Sequence, residues 1–312
     1  MERLTFSFLG PLGTYSHQAV LGFAADHPAE LHPTSTIRDA CVSGVVHGCP
    51  LTAPPYVVIV PIENSSKGRV IEFMDCLASA SLFGPGRLVI VGEHHVAVRH
   101  ALVVHSTNNS DKALEVVRTV RSHPQALGQC SRFLSQLLPN ANRVATNSTS
   151  EAVALLDEFR GDAAVASELA AHIAGAKVIQ RNIQDSTTNV TRFVVATCLP
   201  EDLSVTSLLV HNRKVNRASP LYCTLVRIVV DTEGTSELKA KICSLAGCLR
   251  VQAIDEANPL DGPDTKKVVI IELHGTNPSD ADVFVKQLSE FVGRVDNLGT
   301  WPIHAPATSA KL

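Results

Sequence analysis

The chain has 312 residues, 45% hydrophobic and 18% charged, with a formal net charge of -3 at neutral pH. That length suits two domains, each with its own core, and the scattered Lys and Arg supply neither a basic face for nucleic acid nor a polybasic membrane anchor. No apolar run reaches the ~18 residues of a membrane span, so a small-molecule partner is expected.

Met1-Glu2-Arg3 leads into Leu4 to Leu9, which reads as a strand, then into Gly10-Pro-Leu-Gly-Thr-Tyr-Ser16, and then into a helix with Ala19, Val20, Phe23 and Ala24 on one side. A glycine loop by residue 10 leaves no room for a signal or transit peptide, and a cytoplasmic location is expected. Strand, glycine loop and helix start form a seat for an anion. Glycines such as Gly13 admit close backbone approach, and the hydroxyls of Thr14 and Ser16 can cap the helix or bind what sits on it. A single loop of this kind is more often a capped turn with no ligand, but the plan repeats. Tyr56 to Val60 reads as a buried strand, Pro61-Ile-Glu-Asn-Ser-Ser-Lys-Gly68 as a polar loop carrying Asn64 and Ser65, and Val70 to Leu82 as a helix. Between the two units, Thr36 to Val46 reads as a helix and Gly48 to Pro55 as a surface connection.

After Gly84-Pro-Gly86, two strand-like pieces, Leu88 to Val91 and His95 to Val104, are expected to cross between lobes. The histidines at 94, 95, 100 and 105 do not make a metal site in this reading, because strand neighbours point to opposite faces and no Cys or carboxylate completes a shell. A helix is expected from Asp111, carrying Ala113, Val116, Val117 and Val120. Pro124 opens another, at a position where its missing N–H costs nothing, with a stripe of Leu127, Cys130, Phe133, Leu134 and Leu137. Ser148 and Glu151 have the spacing of a capping box, which leaves the hydroxyl of Thr149 unexplained. Ala163 to Ala166 reads as a strand and Glu168 to Ala174 as a helix.

Asp185-Ser-Thr-Thr-Asn-Val-Thr-Arg-Phe193 then crowds polar groups at the mouth of an apolar strand. Alternation sends Asn189, Thr191 and Phe193 to one face and Arg192 to the other; a twist or bulge would be needed to bring Arg192 round. The recurring strand, loop and helix imply parallel sheets with helices on their faces, and ligands then sit beyond the carboxyl ends of the strands. Two lobes joined near residues 95 and 185 would enclose a cleft lined by helix N-termini. Each terminus favours an anion by about 0.3 to 1 kcal/mol, so several of them with Arg192 suit a substrate bearing more than one carboxylate.

Residues 201–220 are polar and read as a linker. Beyond them the rhythm is strand Leu221 to Val230, helix Ser236 to Ala246, strands Leu249 to Ile254 and Lys267 to Leu273, helix Ala281 to Val292 and strand Arg294 to Leu298. This βαββαβ order is that of a ferredoxin-like module. Eight cysteines, at 41, 49, 76, 130, 198, 223, 243 and 248, show no C-x-x-C pair and read as buried thiols in a reducing compartment.

Four segments, GPLGTYS at 10–16, PIENSSKGRV at 61–70, HPQALGQC at 123–130 and NVTRF at 189–193, together with ELHG at 272–275 and LGTWP at 298–302, resemble the prephenate dehydratases that carry a C-terminal ACT regulatory domain. The resemblance implies an α/β fold, with a two-lobed catalytic domain like a type II periplasmic binding protein over residues 1–200, the linker, a ferredoxin-like ACT domain over 221–304 and a short tail at 305–312. It implies conversion of prephenate to phenylpyruvate, water and carbon dioxide in phenylalanine biosynthesis, with no cofactor, and a homodimer or homotetramer. It carries Thr191 over as the catalytic hydroxyl. Gly13, Thr14, Ser16, Asn64, Ser65, Gly68, Ser148, Thr149, Asn189, Arg192 and Phe193 become the substrate-binding set. Gly234, Thr235, Ser236 and Leu238 fall where an amino-acid effector would bind. There this chain has Gly234-Thr-Ser-Glu-Leu238 and Asp255-Glu-Ala-Asn-Pro259 where relatives show Gly-Ala-Leu and Glu-Ser-Arg-Pro, so the effector stays open between phenylalanine, another amino acid and a mainly pairing role. Arogenate dehydratase and a non-catalytic amino-acid or dicarboxylate sensor are the alternative readings.

Overall fold

The computed structural model describes residues 3–25, 27–48, 56–108, 113–198, 221–231, 235–258, 266–275, 277–292 and 294–303. The expected linker at 201–220, the tail at 305–312, Gly234, Pro259 and residues 49–55 of the surface connection lie outside them.

Lobe 1 is a six-stranded sheet. Apolar Leu4–Leu9 (β1) is hydrogen-bonded in parallel to Ala29–Thr34 (β2) and to Tyr56–Asn64 (β3). Gly68–Arg69 (β4) folds back on β3, and Val89–Ala97 (β5) and Val190–Thr197 (β11) complete the sheet in the order β2-β1-β3-β11-β5. Tyr15–Ala24 (α1) covers one face; Ile37–Gly48 (α2) and Ile71–Ala78 (α3) cover the other.

Lobe 2 is a five-stranded sheet, Lys177–Gln180 (β10), Ala101–Val104 (β6), Ala163–Ala166 (β9), Thr119–Ser122 (β7) and Asn142–Ala145 (β8), in that spatial order. Its helices are Ala113–Val116 (α4), Pro124–Gln129 (α5), Ser131–Leu137 (α6), Thr149–Ala154 (α7) and Glu168–Ile173 (α8).

Neither sheet is wholly parallel, as the repeating pattern had implied. The strands next to the crossings run back against their neighbours: β11 is antiparallel to β3 and β5, and β6 to β9 and β10. β5 is one continuous strand through Gly92, so the first crossing falls at 98–100, inside the piece expected as one strand from His95 to Val104. The apolar run after Asp111 is divided between the single turn of α4 and strand β7, a split that a short apolar run does not reveal. Strand β2 lies at the sheet edge, where Pro33 costs no ladder bond.

The C-terminal unit has the expected βαββαβ order: Leu221–Asp231 (β12), Thr235–Leu245 (α9), Arg250–Ala257 (β13), Lys266–Gly275 (β14), Ser279–Val292 (α10) and Val295–Ile303 (β15). The antiparallel sheet order is β13-β14-β12-β15. One face buries Val226, Ile228, Ile271 and Leu273 under the two helices. The other face, with Cys223, Leu225, Ile270, Leu298 and Trp301, shares a continuous core with Val60, Ile62, Phe73 and Ile90 of lobe 1. Gly299, at φ +147°, brings β15 so close that a Cβ there would lie 2.1 Å from the Ile90 carbonyl oxygen.

The cysteines depart from the uniform expectation. Cys41, Cys76, Cys130 and Cys223 are buried free thiols, but Cys243 and Cys248 are exposed. Cys198 is disulfide-bonded, at the end of β11 where the strand passes α2. The absence of a C-x-x-C spacing says nothing about pairs distant in sequence. No described helix is long and apolar enough to cross a membrane.

Candidate functional site

A cleft of about 930 Å³ lies between the lobes. Lobe 1 contributes Thr14, Tyr15 and Ser16 at the start of α1, the β3–β4 turn with Asn64, Lys67, Gly68 and Arg69, and Asn189, Thr191 and Phe193 of the β11 segment. Lobe 2 faces them with His123, Gln125 and Gln129 of α5 and with Asn147, Ser148, Thr149 and Glu151 around the start of α7.

Asn64 organises the floor. Its Oδ1 accepts the Ser66 N–H at 3.0 Å, which turns Nδ2 toward β11, where it donates to Asn189 Oδ1 at 2.8 Å and to Thr191 Oγ1 at 2.9 Å. The register that pairs Thr191 with Asn64 across β11 and β3 makes this possible. Because Thr191 Oγ1 already accepts, its own O–H is left to donate, and among the described residues no acceptor takes it. That is the arrangement for a hydrogen bond to a ligand oxygen in the cleft.

The helix starts are locally capped. Thr14 Oγ1 accepts from the His17 N–H at 3.3 Å and donates to the Leu9 carbonyl at 3.1 Å. Ser148 Oγ accepts from the Glu151 N–H at 3.0 Å, while the Glu151 carboxylate takes the Asn147 N–H at 2.6 Å, one position before the expected capping box.

A polar chain spans the lobes at the back of the cleft. The Tyr15 hydroxyl donates to the Arg99 carbonyl at 2.6 Å and sits 3.0 Å from His100 Nδ1, and His100 Nε2 is 2.9 Å from Gln129 Oε1. Burial raises the Tyr15 pKa, with Cys130 adding to it, and burial lowers that of His100 against the Gln129 bond. His100 is therefore a neutral ring with one donor and one acceptor.

The profile of the prephenate dehydratase family matches residues 6–198, which spans both lobes apart from the first two residues of β1. The chain belongs to this family. It is 34% identical over 208 residues to the bifunctional chorismate mutase/prephenate dehydratase of Buchnera aphidicola subsp. Schizaphis graminum, covering 65% of this chain and 50% of that protein. This chain thus spans about half the length of the curated relatives it matches. Among solved structures, the prephenate dehydratase of Arthrobacter aurescens in complex with L-Phe superposes with a TM-score of 0.74 at 24% identity, covering 98% of this chain and 94% of that one. GqqA, described as a novel type of quorum-quenching acylase, has a TM-score of 0.74 at 23% identity, with coverages of 97% and 98%. At these identities the two structures establish the shared fold.

Of the residues that the family motifs single out, Thr14, Ser16, Asn64, Gly68, Ser148, Thr149, Asn189, Thr191 and Phe193 line the cleft. Three do not. Gly13, at φ +88°, lies where the lobes touch: its carbonyl accepts from Ser167 Oγ at 2.9 Å, and an added Cβ would come within 2.9 Å of Ala170 Cα. Ser65 is exposed and staples the β3–β4 turn to the start of β11, accepting the Val190 N–H at 3.0 Å and donating to the Thr188 carbonyl at 3.3 Å.

Arg192 points to the opposite face of the sheet, as strict alternation requires; the bulge against β3 does not turn it into the cleft. It pairs with Glu93 at 2.8 Å and Glu272 at 2.8 Å. Burial opposes its charge, but those two carboxylates override this and raise its pKa. Arg69, a residue that sequence reasoning passed over, carries three carboxylates: Glu63 at 3.2 Å, Asp255 at 3.2 Å and Glu272 at 2.5 Å. Burial disfavours ionised Glu272, yet bonds from His274, Arg192 and Arg69 hold its carboxyl well below the usual range.

Cys223, Glu272 and His274 bring their ligand atoms within 4.8 Å of one another. Two guanidiniums already occupy Glu272, so the cluster reads as an ion-pair hub rather than a cation site. Of the expected effector segment, Leu238 is buried in the core of the C-terminal unit; nothing is described of the side chains of Thr235 and Ser236. Tyr15, His100 and Gln129 were missed as a set because each is unremarkable alone and only the hinge brings them together. That Tyr15 and Gln129 lie inside the GPLGTYS and HPQALGQC segments was the available signal.

Proposed function

We propose that this chain is a prephenate dehydratase, converting prephenate to phenylpyruvate, water and carbon dioxide. The observation that carries the reading is Thr191 in the cleft with its oxygen already engaged by Asn64 and its proton free to donate. The reaction breaks the bond from the ring to its carboxylate and the bond from the ring to its hydroxyl. The electron pair of the first completes the aromatic ring as the second leaves. Prephenate dianion plus one proton gives phenylpyruvate monoanion, carbon dioxide and water.

The ring supplies the driving force, so the protein has three tasks: to donate to the departing oxygen, to grip the side-chain carboxylate, and to place the ring carboxylate where little opposes its loss. The Thr191 hydroxyl serves the first, and assistance of this kind typically gives about 10² to 10⁴-fold. With Arg192 buried elsewhere and Arg69 held by three acids, the carboxylate grip falls to Lys67, exposed at the cleft edge, and to the start of α1, whose free N–H groups and dipole favour an anion. Fixed amide and hydroxyl dipoles around the ring supply much of the remainder.

The C-terminal unit is, in this reading, an ACT domain that takes an amino-acid effector and pairs subunits into a homodimer or homotetramer, in a cytoplasmic enzyme. Its βαββαβ order supports this, as does the L-Phe in the Arthrobacter structure. The test is to mix the protein with prephenate at neutral pH, without metal or nucleotide, and follow phenylpyruvate by its absorbance in alkali. Turnover is expected in the wild type and not in Thr191→Ala. Arogenate run side by side distinguishes the amino substrate, and binding of prephenate without turnover would mark a sensor and sink the reading.

A further inference from the structure

Besides the shared apolar core, two networks centred on buried charges tie the C-terminal unit to lobe 1, and only one of them reaches the cleft. Arg227 of β12, 1% exposed, donates to the carbonyls of Leu77, Ser79 and Phe83 at 3.2, 3.0 and 3.0 Å and pairs with Asp296 at 2.6 Å. Those carbonyls close α3 and the turn after it, away from the cleft lining. Glu272 of β14, equally buried at 1%, gives Oε2 to Arg69 at 2.5 Å and Oε1 to Arg192 at 2.8 Å.

Each of those arginines is part of the cleft or next to it. Arg69 is in the cleft wall, and Arg192 follows Thr191 directly. The turn before the wall is bonded to its neighbours, but at the wall itself the pairing is short. Strand β4 is two residues long and pairs with β3 only through Glu63–Arg69 and Asn64–Gly68, and Gly68, at φ +80°, has open space where a Cβ would point. The Arg69 side chain adds a further anchor, and two of the three carboxylates that hold it, Asp255 and Glu272, belong to the C-terminal unit.

We propose that Glu272 is a positioning residue for the cleft: through Arg69 and Arg192, the C-terminal unit sets the placement of the Gly68–Arg69 wall and of the Asn64–Thr191 pair. The kinetic part rests on the reading of this cleft as a prephenate dehydratase site; the structural part does not. Glu272→Gln keeps the shape and removes the charge that both guanidiniums share. Asp296→Asn is the matched control, since it loosens the Arg227 contact at the same interface.

In the full chain, E272Q is expected to lower kcat about tenfold, as misplacement of a reacting group does, while D296N leaves kcat within about twofold even where it lowers the unfolding temperature as much. E272D, whose shorter carboxylate reaches one guanidinium, is expected to recover part of the loss, and it carries the test should E272Q fail to fold. Amide exchange is the readout independent of activity. The Ser65, Lys67 and Val70 N–H groups, bonded to Val190, Asn64 and Ile62 carbonyls, should lose protection in the Glu272 variants and keep it in D296N. Parallel loss in both classes of variant would reduce Glu272 to a docking contact and overturn the proposal, as would unchanged exchange and kcat in E272Q. A wild type inactive on prephenate would sink the proposed function, and the exchange result would still decide the role of Glu272.

Discussion

The two faces of β11 differ in kind. Toward the cleft it presents Thr191 and, just before the strand, Asn189, groups without charge that bond to Asn64. Toward the C-terminal unit it presents Arg192, 14% exposed in its side chain, among Glu93, Glu272 and the Trp301 indole N–H. At this strand the buried charges lie in the scaffold behind the site, and the face toward the cleft carries dipoles. Charges out of water need partners on all sides, and a closed interface provides them better than a cleft that must admit water and ligand. On this face of the strand a ligand is then met by groups that need no counter-ion when the cleft is empty.

The contrast is broken most sharply from the cleft side. Thr191→Ala is expected to fold with unchanged stability and to lose about 10² to 10⁴-fold in kcat, checked by steady-state turnover beside thermal unfolding. Arg192→Met attacks the other face and should do the reverse in emphasis. It leaves Glu93 and Glu272 short of a buried partner, and denaturant unfolding should show a loss of about 3 to 5 kcal/mol.

A third test uses pH. Burial, with a smaller effect from His95, pushes the His94 ring down to about 4 from its ordinary 6.5. Between those values the unfolded chain binds a proton that the folded one refuses, so stability rises with pH across that window and falls on acidification, by about 3 kcal/mol at most. Burial lowers His17 and His100 in the same direction. Urea midpoints should therefore drop from pH 7 to 4.5, and His94→Gln should show a shallower drop; an equal slope would remove His94 as its source. The smallest effect is expected at Ser148→Ala, where loss of the cap on α7 should cost about 1 kcal/mol with a modest rise in KM.

What the sequence discloses follows from how local the cause is. The β11 alternation, the cap at Ser148 and the βαββαβ order each depend on residues within a few positions of one another, and each can be read directly. The short strands β2, β8 and β10 cannot, since four to six mixed residues carry no period of their own and are held by neighbours distant in sequence. Arg69 is the extreme case in the site: its partners Asp255 and Glu272 lie 186 and 203 positions away. Nothing in the loop that carries Arg69 distinguishes it from a solvent-exposed arginine. Alternation puts Arg192 on the far face, where it lies; only its place in the substrate set taken from the resemblance is not matched, because a motif states which residues occur together and not which face each one takes.

The two crossings between the lobes are bonded to each other along their length. Val98 N–H donates to the Asn189 carbonyl at 2.9 Å, Arg99 to the Thr187 carbonyl at 2.7 Å, the His100 N–H to Gln184 at 3.0 Å, and the Ile183 N–H to the His100 carbonyl at 3.0 Å. Paired strips bend more easily than they shear, so a swing about the line of those bonds is the motion this joint resists least. Along it Asn64 and Thr191 stay fixed with the C-terminal unit, and the groups that travel are Ser148, Thr149 and the Ser167 hydroxyl that latches onto Gly13. Any such swing has to break the bond from the Ser167 hydroxyl to the Gly13 carbonyl.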